Sequence, residues 1–372
     1  MIPYFELLNE LILPFLLAFI LAFVMIPVII SNAVRFKLVD KPCPRKIHIV
    51  PIPSMGGIAI FMAIVLTTVI FNVQLFSHYI YFWLGLSILY VVGIVDDRHG
   101  MKASLKFLLQ ILCSFLVAYS NIRIVSFGGM LGIQEIPTVF QYGLTVFLIV
   151  GITNAFNLID GIDGLAGGIG LITSCILGIL CLHVQQNELA VLCFSLSGSL
   201  LAFLRYNFNP AKIFMGDTGS LVIGFLLSVV AIRVTQVASV EGDTNDEIMS
   251  ISLIFGIFLL PVFDTIRVFA ERIIKGNSPF KAEKNHVHHL LLSKGFSHPG
   301  TTLFLYFSHI LIISTALVSI NYMRIEFSLL LTIMVCMIWF EIFVKRERRV
   351  KLSAMAKVEE DVKRLKKAKS LT

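Results

Sequence analysis

Carboxylates in this chain gather where apolar stretches end. The segments are Val95-Asp96-Asp97, the run from Asn154 to Gly164, Phe214-Met215-Gly216-Asp217-Thr218-Gly219 and Phe263-Asp264. A charge beside hydrocarbon is costly, so its repetition asks for a function. Facing one another, such carboxylates and amides could hold a magnesium ion and a phosphate-bearing substrate. Mg²⁺ takes a few carboxylate oxygens together with phosphates and water.

Each segment has a plainer structural alternative. Asp96 and Asp97 could be a juxtamembrane stop paired with Arg98. As adjacent like charges, however, one of them keeps its proton or recruits a cation. Such a group can act as general base toward a phosphate hydroxyl. In the second segment Asn157, Asp160 and Asp163 are spaced by three, so a helix would set them on one face. Gly161 and Gly164 let backbone approach a ligand. Capping around a kink explains one or two of these residues but not the register. Asp217 could cap the helix that follows it. A carboxylate there also suits a metal–pyrophosphate assembly at a helix N-terminus, with Asn157 or Asp160 completing the metal set.

Two basic segments complete the candidates. His286, His288 and His289 stand together in the loop 270–300. A zinc site is disfavoured by the H-x-H-H spacing and by Cys43 being the sole cysteine on that side. Beside Lys281 and Lys284 these histidines read as hydrogen-bond donors to phosphate, whereas His298 and His309 read as structural. Arg45, Lys46 and His48 lie in a proline-stiffened loop and could receive a lipid phosphate at the bilayer surface. The chain holds no G-x-x-x-x-G-K-[ST], G-x-G-x-x-G or H-E-x-x-H, which removes the best support for P-loop, dinucleotide-binding and zincin chemistry.

These residues must be positioned by membrane helices. The hydrophobic fraction is 57%, only 14% of residues are charged, and the mean hydropathy is +0.89. A soluble domain carries nearer a quarter charged residues. Apolar stretches fall near 11–31, 56–73, 80–95, 105–120, 137–156, 164–183, 189–205, 219–239, 248–269, 301–320 and 325–344. The expected fold is all-α, a polytopic integral membrane bundle of about eleven helices. Residues 1–344 form one membrane domain and 345–372 a basic tail. Catalytic loops are expected near 35–57, 96–104, 154–164, 206–218 and 270–300. The first span has no A-x-A-like site after it and reads as retained rather than as a signal peptide. Most of the six cysteines lie in apolar runs, so inert buried thiols are expected. The segment 127–132 reads as a turn or small hairpin.

Lys and Arg set the orientation. One set of connections holds Arg35, Arg45, Lys46, Arg98, Lys102, Lys106, Arg205, Lys212, Arg267, Arg272, Lys275 and the tail; the opposite loops hold Arg123 and Arg324. The basic side is cytoplasmic by the positive-inside rule, which places the N-terminus outside and the C-terminus inside. Every acidic segment then falls on the cytoplasmic side. A transporter would instead carry its ionisable groups near the midplane on broken helices. A non-catalytic scaffold would not need so many carboxylates beside hydrocarbon.

Together the segments resemble the polyprenyl-phosphate N-acetylhexosamine-1-phosphate transferase family from about residue 35 to 300. The motifs run in the family's order: the RKIH…P…GG loop, VDD at 95–97, NAFNLIDGIDGLAGG at 154–168, FMGDTGS at 214–220, PVFDTIRV at 261–268 and HVHH at 286–289. The resemblance implies a multi-pass enzyme of the inner (cytoplasmic) membrane with a cytoplasmic active site. It would use Mg²⁺ or Mn²⁺ to move a sugar 1-phosphate from a UDP-N-acetylhexosamine to undecaprenyl phosphate, releasing UMP. It implies Asp217 as metal ligand with Asn157 and Asp160 beside it. It also implies Asp96 and Asp97 as the essential acidic pair, Asp97 activating the lipid phosphate, and Asp163 and the histidines as further essential positions. Asn154, Asp264, Arg267, His286, His288, His289, Arg45, Lys46 and His48 are the expected substrate-binding residues. H-x-H-H with P-x-F-D-x-x-R resembles the branch that uses UDP-GlcNAc for O-antigen, common antigen or teichoic acid. The peptidoglycan branch, which takes UDP-MurNAc-pentapeptide, is the alternative. Membrane lipids are expected partners and nucleic acid is not; a homodimer stays open.

Overall fold

The structure is a computed structural model, and it describes residues 11–33, 39–40, 52–133, 135–278 and 285–345. The loop residues Arg45, Lys46 and His48, the lysines 281 and 284, and the tail beyond 345 lie outside the described residues.

The long apolar runs fold as helices because no water in a bilayer core can satisfy an open backbone. They are α1 (Leu13–Ala33), α2 (Gly56–Phe71), α3 (Gln74–His78), α4 (Ile80–His99), α5 (Ala103–Tyr119), α6 (Thr138–Ile159) and α7 (Leu165–His183). Then come α8 (Asn187–Asn207), α9 (Gly216–Val240), α10 (Thr244–Ile274), α11 (Val287–Ser293), α12 (His298–Ser319) and α13 (Ile325–Trp339). Among the described residues nine helices are long and apolar enough to cross a membrane, the ninth being α13 with its π-helical continuation to Val344, and α2 and α5 are shorter apolar helices. The only strands there are β1 (Val39–Asp40) and β2 (Ile52–Pro53), paired antiparallel. The 127–132 segment holds a 3₁₀ turn at Met130–Gly132, the turn alternative of the two expected.

Three element boundaries differ from expectation. Helix α4 runs on to His99, so Asp96 and Asp97 sit in its last turn. Helix α10 continues past Asp264 to Ile274, so that carboxylate is inside a helix rather than at its end. Helix α6 stops at Ile159, and 160–164 is a turn. The expected single helical face through Asn157, Asp160 and Asp163 therefore does not form.

Helix α9 is the centre of the bundle, with most of its side chains buried. Its N-terminal turn is held by backbone alone on two flanks. A Cβ at Gly57 of α2 would run into the Gly219 backbone, and one at Gly93 of α4 into Thr218. The same region is laced by Phe214 N–H to Pro53 O (2.7 Å), Gly56 N–H to Phe214 O (2.9 Å) and Gly57 N–H to Met215 O (3.0 Å). The first turn of α9 is thus fixed against α2 and α4 before any side chain acts.

Candidate active site

Helix ends bring the acidic segments to one end of the bundle. Asp96 and Asp97 come from the end of α4, Lys106 from the start of α5, Asn157 and Asp160 from the end of α6, and Asp217 from the start of α9.

Asp97 closes the first turn of α9 from outside. Its Oδ1 accepts from the Asp217 N–H (2.8 Å), and its Oδ2 from the Thr218 N–H (3.0 Å) and the Thr218 hydroxyl (2.6 Å). Those N–H groups have no partner within their own helix, so a carboxylate there is stabilising. Asp217 is therefore not the cap that its position suggested. The N-cap residue is Met215, without a side-chain bond, and the capping carboxylate belongs to α4. Asp217 is left pointing into the cluster.

Lys106 binds the two other carboxylates. Its Nζ lies 2.9 Å from Asp96 Oδ2 and also contacts Asp217 Oδ2. Only 13% of its side chain is exposed, so this is an ion pair shielded from water rather than a surface contact. Asp96 also accepts from the Met101 N–H at 2.6 Å. Asn157 completes the group by donating from Nδ2 to Asp217 Oδ1 (2.5 Å) and to Ser220 Oγ (2.9 Å).

Asp160 caps α6 outside the span and has no hydrogen-bond partner among the described residues. Burial, with the negative charges of Asp217, Asp97 and Asp163 added, pushes its carboxyl up to about 7. Asp163 faces elsewhere. Its Oδ2 accepts from Asn209 Nδ2 and the Ala211 N–H, both at 3.0 Å, and so ties down the loop after α8. Asn207 Oδ1 accepts from the Gly164 N–H (2.9 Å), while α12 donates to the turn from Thr302 to Asp163 O (2.9 Å) and from Tyr306 to Gly164 O (2.5 Å).

The histidine segment is docked on α10. Asp264, 4% exposed, accepts from Arg267 Nη2 (2.8 Å), His286 Nδ1 (2.8 Å) and the Val287 N–H (3.0 Å). Arg267 also donates to Asn285 O at 2.5 Å. Asp264 and Arg267 thus hold the chain that carries the histidines. The His286 and His288 rings lie parallel with centroids 5.8 Å apart, and His289 sits 4.3 Å from His288. His288 is 2% exposed, and its Nε2 faces Gly161 of the 160–164 turn without a hydrogen-bond partner among the described residues. Burial, then the neighbouring His289, lowers its pKa to about 3, so it is neutral.

The sequence reading missed Lys106 and Asn207 as site residues. In the sequence Lys106 enters only the charge pattern that sets orientation, although a lysine one turn inside an apolar helix is itself a costly placement. Asn207 had no local signal, because its partners are the Gly164 N–H and Ile213 O from two different segments. Asn154 lies one turn deeper than Asn157 and bonds Gln110 of α5.

The cluster fits a hard cation. Its donors are oxygens of Asp217, Asp160 and Asn157, the kind Mg²⁺ prefers. Among the described residues no three His, Cys, Asp or Glu side chains already converge as a metal cage. A magnesium ion held there would take its remaining ligands from water and substrate phosphates.

The chain is similar in sequence to known proteins. The profile of glycosyl transferase family 4 matches residues 79–235. The chain is 34% identical over 281 residues to a probable undecaprenyl-phosphate N-acetylglucosaminyl 1-phosphate transferase of Bacillus subtilis, covering 75% of this chain and 76% of that protein. It is 33% identical over 300 residues to a decaprenyl-phosphate N-acetylglucosaminephosphotransferase of Mycolicibacterium smegmatis, covering 74% and 73%. It is 31% identical over 271 residues to an undecaprenyl-phosphate alpha-N-acetylglucosaminyl 1-phosphate transferase of Escherichia coli K12, covering 71% and 72%.

Proposed function

The chain belongs to glycosyl transferase family 4, and from that premise we propose that it moves N-acetylglucosamine 1-phosphate from UDP-GlcNAc to a polyprenyl phosphate. The observation that carries this reading is the Asp96–Lys106–Asp217 bridge with Asn157 beside it, set where helices end against hydrocarbon. Both substrates are anionic, so the barrier is charge repulsion and positioning. The site answers with a buried ammonium, a fixed helix end and a cluster of histidines.

An oxygen of the lipid phosphate attacks the β-phosphorus of the UDP-sugar. The new P–O bond forms as the bond from that phosphorus to the bridging oxygen breaks. UMP leaves with the electron pair, and the lipid carries a pyrophosphate-linked sugar. Lys106 offsets charge on the phosphates from within the membrane edge. Asp97 keeps Asp217 aimed at the site through the α9 backbone. Asp264 holds His286 and the Val287 N–H, and the stretch that carries His288 and His289 would then face the nucleotide side. A bound Mg²⁺ or Mn²⁺, held by Asp217 with Asn157 and Asp160, would neutralise pyrophosphate charge and ease departure of UMP.

The site end faces the cytoplasm in this proposal. Arg98, Lys102, Arg205, Lys212 and Lys275 lie at that end, and Arg123 and Arg324 at the other. The test is turnover by purified protein in lipid nanodiscs with undecaprenyl phosphate, Mg²⁺ and a panel of UDP-sugars. UMP release with a lipid product of the mass of GlcNAc-pyrophosphoryl-undecaprenol is expected. Product from UDP-MurNAc-pentapeptide alone would move the chain to the peptidoglycan branch, and no product from any sugar would refute the reading.

A further inference from the structure

Gln110 of α5 is 1% exposed in an apolar helix. Its Oε1 accepts from Asn154 Nδ2 at 2.5 Å, and that same Nδ2 donates to Val150 O at 2.7 Å. This chain of bonds fixes both amides. Turning Asn154 over would set its oxygen against two acceptors, and turning Gln110 over would set one NH₂ against another. Gln110 Nε2 therefore faces away from Asn154, and it has no hydrogen-bond partner among the described residues. A buried amide with its donors unused is costly, and such a group in a native protein calls for an explanation.

Its placement supplies one. Gln110 is four residues after Lys106, on the same face of α5. Across from them α6 presents Asn157 and Asn154, three residues apart. The two helices so form two polar rungs. The first holds Lys106 and Asn157 on Asp217. The second holds Gln110 on Asn154, one turn further into the apolar layer. Lys106 spends two donors on Asp96 and Asp217 and keeps one of its three.

We propose that Gln110 is a further substrate-binding residue, whose Nε2 donates to a non-bridging oxygen of the lipid acceptor's phosphate. A phosphate monoester on an apolar tail reaches the site from the bilayer, the side on which the second rung lies. A nucleotide comes from water and meets the first rung. The inference rests on the transfer reading above for the identity of the acceptor.

The experiment separates the two substrates. Gln110→Glu keeps an oxygen for Asn154 but replaces the free donor with a charged acceptor. Gln110→Met removes both groups at similar length and suits an apolar helix. KM is measured for undecaprenyl phosphate and for UDP-GlcNAc, beside binding of undecaprenyl phosphate to the protein without donor sugar. Acceptor KM and acceptor Kd are expected to rise at least about tenfold in both variants, while the UDP-GlcNAc KM stays within about twofold. Gln110→Glu with unchanged acceptor KM and Kd would overturn the proposal, as would a donor KM that rises in step with the acceptor's. If the wild type binds the lipid phosphate but turns over no UDP-sugar, the transfer reading falls. The binding measurement on Gln110→Met then decides Gln110 by itself.

Discussion

Asp97 and Thr218 meet through two hydrogen bonds to one carboxylate oxygen, from the backbone N–H at 3.0 Å and the hydroxyl at 2.6 Å. A side chain of α4 thereby completes a helix that begins more than a hundred residues later. Asp97→Ala should lower stability by about 1–3 kcal/mol, as loss of a charged cap does. Turnover should fall at least about a hundredfold, because Asp217 loses its bearing. Thr218→Ser keeps both bonds and should retain most activity; Thr218→Val should fall between. Thermal unfolding in detergent, beside initial rates, checks the series.

Removing the cation between two carboxylates should be felt by both. Lys106→Met leaves Asp96 and Asp217 without their shared partner in a half-buried setting. Turnover should drop at least about a hundredfold. A double-mutant cycle with Asp96→Asn should show a coupling of roughly 0.5–3 kcal/mol in stability, since the residues act as one network.

Gly161 has His288 where its Cβ would be. Gly161→Ala should displace the ring or the 160–164 turn and cut turnover at least about tenfold. Gly143 in α6 has open space around it. Gly143→Ala should leave the rate unchanged and add about 0.5–1 kcal/mol of stability. Rates and unfolding midpoints of the pair give the contrast.

Stability should fall in acid through His288. Its pKa is about 3 in the folded protein against an ordinary 6.5, so between those values the unfolded chain binds the extra proton. The contribution is full above about pH 6.5 and is lost as pH drops toward 3, at up to about 1.4 kcal/mol per pH unit. A His288→Gln variant should flatten that part of the curve.

Asp160 predicts a metal dependence that varies with pH. A carboxyl raised to about 7 must give up its proton to serve a cation. The Mg²⁺ concentration for half-maximal rate should therefore increase as pH falls from about 8 to about 6, and a chelator should abolish turnover. A half-maximal concentration that does not change with pH would remove Asp160 from the ion.

The clustering of Asp96, Asp97, Asn157 and Asp217 was legible because charge beside hydrocarbon has few innocent explanations. So were the apolar spans, since the bilayer imposes their length. What local pattern does not carry is which group satisfies which. Asp97 as the cap of α9 and Asp264 as the seat of His286 are tertiary relationships between distant segments. The three-residue spacing of Asn157, Asp160 and Asp163 looked like a helical face, but the chain turns after Ile159 and sends Asp163 to Asn209. Lys106 and Gln110 escaped notice because a lysine near a span end reads as topology and a single glutamine reads as nothing in particular.

The clasp of Gly57 and Gly93 on the first turn of α9 has a mechanical consequence. With main chain abutting main chain, that turn has no compressible layer on which to glide or roll. Any rearrangement that admits a substrate would have to be borne by other parts of the site, over a stationary anvil.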